Sequence, residues 1–157
     1  MAPTTTVAPT TTVSESAGER NARESAASYL EYSAFSRSGL VEQLEYEGFT
    51  TAQAEYGTDA QNADWNEQAA LSAASYLEYS AFSRSGLVEQ LEYEGFTTAQ
   101  AEYGTDAQNA DWNEQAALSA ASYLEYSAFS RSGLVEQLKY EGFTTAQAEY
   151  GATAVGL

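Results

Sequence analysis

The chain has 157 residues, with 6 basic against 23 acidic ones and a formal net charge of −17. That excess excludes binding to nucleic-acid phosphates, which rests on Lys and Arg displacing counterions, and it disfavours docking on an anionic membrane face. The sequence holds no Cys and no His, which removes disulfides, thiolate nucleophiles, zinc–thiolate sites and the commonest general base.

Hydrophobic residues at 43% and 12 Tyr still describe a chain that folds rather than a solvated acidic tail. No apolar run approaches the roughly 18 residues that span a bilayer, so no direct membrane insertion is expected. Met1 is followed by Ala, Pro, Thr and Val rather than by a basic segment and an apolar stretch, so no signal peptide is read here.

Residues 1–15 repeat Ala-Pro-Thr-Thr-Thr-Val before Ser-Glu. Thr and Pro without apolar periodicity read as a flexible tail or an extended surface stalk. Beyond it the chain is a tandem repeat. Segments 58–104 and 105–151 are the same 47 residues except that Glu92 becomes Lys139, and 25–57 repeats 72–104 without change. The expected domains are therefore repeat 1 with an altered head (16–57), repeat 2 (58–104) and repeat 3 (105–157).

Each repeat reads as three helices, an all-α unit with no strand-like alternation. Asp64-Trp65-Asn66-Glu67 has the capping-box pattern. Trp65, Ala69, Ala73, Tyr76, Leu77 and Ser80 follow on one helical face, whose Ala content lets a neighbour approach closely. Tyr79 is expected to border this stripe. Ser83 caps a second helix with Leu87, Val88 and Leu91 inward, and Arg84 is expected to pair with Glu78 or with a carboxylate of the adjacent repeat. Gly95 takes the left-handed C-terminal position and Phe96 plugs the end. Thr97-Thr98-Ala99-Gln100 opens a short third helix through Tyr103. In the first copy Gly18 replaces Trp65, Ser16–Glu19 offers a displaced capping box, and Glu24 replaces Leu71 at an exposed position. That copy is expected to be the least stable. The small polar residues between repeats read as a hinge or a helix extension, so the units either stack as a solenoid or, the reading favoured here, are beads with limited mutual contact.

The run Asp64-Trp65-Asn66-Glu67-Gln68-Ala69, with Ser75-Tyr76-Leu77-Glu78-Tyr79, Phe82-Ser83-Arg84, the stretch from Gly86 to Phe96 and Ala101-Glu102-Tyr103-Gly104, resembles the repeat of the host-cell-surface-exposed lipoprotein (Ltp) family over about 140 residues. The resemblance implies a compact three-helix repeat with a helix-turn-helix-like arrangement, located outside the membrane. Its best-known members are prophage-encoded lipoproteins that give superinfection exclusion, stopping an incoming phage from delivering its DNA. The signal peptide and lipobox Cys those proteins need are not found in this chain.

The helix-turn-helix-like shape does not imply DNA binding, because repeat 2 carries eight acidic residues against one Arg and its second helix would present Glu89 and Glu92 to phosphates. Glu89, Glu92 and Tyr93 share the outer face of that helix. Glu42, Glu45 and Tyr46 match them in the first copy, and Glu136 and Tyr140 in the third. The face reads either as solvation or as repeated acidic, Tyr-bearing contact sites for a basic protein partner, where avidity adds weak contacts. Lys139 should weaken the third site. Asp59, Asn62 and Asp64 lack EF-hand spacing, and no nucleophile–base pair or phosphate loop is present. Neither a metal, a cofactor nor an enzymatic activity is expected. The reading is a cell-surface binding protein that blocks a phage DNA-delivery component. The alternative is a structural repeat, serving as spacer, self-associating filament or virion decoration.

Overall fold

The computed structural model describes residues 14–157; the expected Thr/Pro tail falls, but for Ser14 and Glu15, outside the described residues. Among these there are nine helices and no strand, in three successive groups of three. The first group is α1 (Ala17–Tyr32), α2 (Arg37–Tyr46) and α3 (Thr51–Asp59); the second is α4 (Trp65–Tyr79), α5 (Arg84–Tyr93) and α6 (Thr98–Asp106); the third is α7 (Trp112–Tyr126), α8 (Arg131–Tyr140) and α9 (Thr145–Ala154).

The caps explain where these helices begin. Ser83 Oγ accepts the Gly86 N–H at 2.9 Å, and Thr97 with Gln100 forms a complete capping box at α6. At α4 only half of the expected box forms: Asp64 accepts from Asn66 and Glu67, and Glu67 does not return the bond. The displaced Ser16–Glu19 box of α1, by contrast, is complete. The stop after α5 is a Schellman motif. Gly95 has φ 98°, its N–H reaches Glu92 O, and the Phe96 N–H reaches Leu91 O, so the last carbonyls are satisfied.

Each unit closes around small residues. Ala69 and Ala73 of α4 and Ala101 of α6 are fully buried with Leu87 and Leu91 of α5; full burial of each Leu contributes roughly 1.5–3 kcal/mol. At Gly104 a Cβ would stand 2.5 Å from the Ala69 carbonyl carbon, so α4 and α6 meet backbone to backbone. Thr105 and Asp106 extend α6 beyond the expected end. The three-helix units therefore run from α1 to Asp59 and from α4 to Asp106, whereas a period drawn from Thr58 cuts inside α3. Identity between copies fixes the length of a repeat and not its phase.

Helix-on-helix packing stays within each unit, so contact between units is limited as expected, but it is specific. Trp65 opens α4, yet it packs against the core of the first unit, as Leu30, Phe35 and Val41 of that unit do; Trp112 does the same to the second core. Assigning Trp65 to its own helix's inward stripe misses this, because a residue in the first helical turn can reach across the preceding boundary. Around the Trp, Gln68 Oε1 accepts the Phe35 N–H at 3.1 Å. Ser36 Oγ donates to Glu94 O at 2.6 Å and Ser38 Oγ to Gly95 O at 3.0 Å. The same set recurs one repeat later with Phe82 and Gln115, Ser83 and Glu141, Ser85 and Gly142. The result is a short solenoid with one interface used twice.

Candidate binding surface

The second helix of each unit presents the acidic positions outward. Glu42, Glu45 and Tyr46 on α2, Glu89, Glu92 and Tyr93 on α5, and Glu136 and Tyr140 on α8 are all exposed. Burial of Leu87, Val88 and Leu91 on the other side of α5 leaves Glu89, Glu92 and Tyr93 facing water. Each trio sits at i, i+3 and i+4, on one stripe. Among the described residues, none of the α2 and α5 carboxylates in these trios is engaged by a side chain, whereas Glu136 lies 3.4 Å from the Lys139 ammonium. The third stripe thus carries less negative field than the other two.

Glu94, at the edge of this face, has a structural task. Its carboxylate accepts Ser72 Oγ at 2.8 Å and the Tyr76 hydroxyl, and Gln90 Nε2 donates to that hydroxyl oxygen at 3.1 Å. Burial, and then the carboxylate beside it, raises the pKa of the Tyr76 phenol; Tyr123 is raised for the same reasons, with Glu141 as its partner. Tyr29 pairs with Glu47, and there the hydrogen bond is the leading cause.

The acidic stripes are not the only repeated surface. Between consecutive units lies an open groove of about 550 Å³, once between the first and second units and once between the second and third. Leu118, Tyr79 and Tyr126 wall the latter above Ser119 and Glu141; Leu71, Tyr32 and Ser75 stand at the former above Ser72 and Glu94. Tyr79 is 86% exposed, so it does not border the buried stripe: it lines a groove rather than a core. Leu71 and Leu118 are 52% exposed, and their counterpart in the first unit is Glu24. The exchange of Glu for Leu at one exposed position was the sequence signal for these grooves, and it reads as tolerance until the stacking is known.

Arg84 does not pair with Glu78. It grips Asp106 through two nitrogens, at 2.7 and 2.8 Å; Asp106 falls in repeat 3 as the sequence divides it but in α6 of Arg84's own unit as the helices do. Arg37 and Asp59 repeat the pair. Each Arg holds its Asp below the usual carboxylate range. Both ion pairs are exposed and structural, tying the second helix to the third.

No cluster of three or more potential metal ligands occurs among the described residues, and none of their helices is long and apolar enough to cross a membrane. Neither the curated proteins nor the solved structures hold a match to the chain. One family model matches three times, over residues 18–60, 64–107 and 111–155, which are the three helical units in the phase the structure gives them. Three matches in register, each on one three-helix unit, show that this chain belongs to the host cell surface-exposed lipoprotein family and is a cell-surface protein.

Proposed function

We propose that the protein is a non-enzymatic binding protein of the cell surface that blocks DNA delivery by an incoming phage through protein–protein contact. The observation that carries the reading is the threefold outward stripe of carboxylate and Tyr on α2, α5 and α8. Its carboxylates have little internal work, and its repetition suits a basic partner bound with avidity. Opposite charge on the partner speeds encounter more than it tightens the complex. The step from surface binding to exclusion rests on resemblance to superinfection-exclusion lipoproteins.

The test displays the chain through a lipid anchor on a phage-sensitive host and follows phage adsorption beside DNA delivery. Normal adsorption with blocked delivery, relieved when Glu89, Glu92 and Glu136 are reversed to Lys, supports the reading. Unchanged delivery across a broad phage panel overturns it.

A second reading, a structural spacer or self-assembling subunit, is favoured by the stacking of the units, which gives the array a fixed length. Light scattering separates the two: a monomer fits the binder, and concentration-dependent polymers fit the assembler.

A further inference from the structure

The interface between units has two unlike halves, so the two ends of the stack present different surfaces. The socket half consists of the Phe35 N–H, the hydroxyls of Ser36 and Ser38, and the edge of the first core. The plug half consists of Trp65, Gln68 and the carbonyls of Glu94 and Gly95.

At the upstream end of the stack the plug is broken. Its carbonyl-bearing loop survives as Glu47 and Gly48, but Gly18 stands for the Trp and Asn21 for the Gln. Nothing lies within 4 Å of a Cβ placed on Gly48, whereas one on Gly95 or Gly142 would meet a Ser hydroxyl of the preceding unit at 2.1 Å.

At the downstream end the polar part of the socket recurs. Phe129, Ser130 and Ser132 repeat Phe35, Ser36 and Ser38, and the two hydroxyls face each other at 3.3 Å. Ser130 is exposed, although Ser36 and Ser83 are each 2% exposed beneath the following unit. Val155 packs against the third core, and Arg131 turns to Thr153 and the Leu157 carbonyl in place of an Asp partner. Phe129 stays only partly buried and Ser132 exposed.

We propose that the downstream face of the third unit is a docking site for a Trp-headed repeat of the same kind carried on another chain, and that Gly18 and Asn21 stop this chain from filling that site with its own upstream end. The occupant follows from continuity with the two interfaces already formed: the socket atoms are the same, and what fits them is a Trp and a Gln three residues apart at a helix start. The inference does not depend on the phage reading.

The test restores the plug and looks for assembly. Wild-type chain should sediment as a monomer. G18W/N21Q should form concentration-dependent head-to-tail oligomers, and adding S132Y, whose ring fills the place of the incoming Gly carbonyl, should return it to a monomer. G18W/N21Q/S132Y mixed with wild type should give a one-to-one complex of double the mass. If G18W/N21Q does not fold, replacing residues 17–24 by the sequence of 64–71 makes the first unit match the second through Gly57, whose sequence already folds in place. Folded plug-bearing chains that stay monomeric at high concentration overturn the proposal. So does a wild-type chain that already polymerises through Ser132.

Discussion

Gly104 and Thr105 sit side by side in α6 and have opposite tolerances. Gly104→Ala drives a methyl into the Ala69 backbone, and overpacking against backbone should destabilise by about 1–3 kcal/mol or more, read from the urea midpoint. Thr105 is buried with an unpartnered hydroxyl, a group that costs about 1–3 kcal/mol to desolvate. The third unit carries Ala152 at this position, also fully buried. Thr105→Val, keeping the volume and removing the hydroxyl, should therefore raise stability by about 1 kcal/mol. The Tyr–Glu pairs set an alkaline limit. With the native pKa of Tyr76 and Tyr123 raised above the unfolded value, the folded state holds protons that the unfolded state releases near pH ~10. Their contribution is complete below that pH and is lost as pH rises through the native pKa. Stability measured in urea should fall above about pH 10, and less steeply in Tyr76→Phe/Tyr123→Phe.

At the scale of the element, most of the helical architecture was legible in local chemistry. Ser83, Thr97, Gly95 and the Leu87–Leu91 stripe each perform the expected task because caps, left-handed stops and i, i+4 burial depend on neighbours a few residues away. What could not be read was any partnership crossing a unit boundary. Trp65 follows the helical period of α4 and yet serves the preceding core; Tyr79 lies next to a buried stripe in sequence and lines a groove in space. The acidic stripes could be placed, and were found exposed, because exposure follows from the same periodicity. Trp112→Ala tests the reassignment. It leaves α7 with its Asp111 cap but uncovers the second core, so the cost should be about 3 kcal/mol, at the lower end of the range for an aromatic truncation because Trp112 is only partly buried. The loss should appear as faster amide exchange around Phe82 and Leu87 rather than within α9.

Across the whole molecule, stacking turns three small units, each near the lower size limit for an independent core, into one array coupled by nearest neighbours. The first unit has a Trp only on its downstream side and the third only on its upstream side, while the second is held at both. Unfolding should therefore begin at the ends. The acidic stripes ride on this fixed frame, which makes their spacing constant and multivalent contact geometrically possible. The sharpest test of that frame uses the two Trp residues, since both lie at unit boundaries and none lies elsewhere. Urea unfolding followed by Trp emission and by far-ultraviolet dichroism should show blue-shifted native emission that moves red in one transition coincident with helix loss. Emission already at the position of water-exposed Trp in the native protein, unchanged while the helices melt, would contradict the stack.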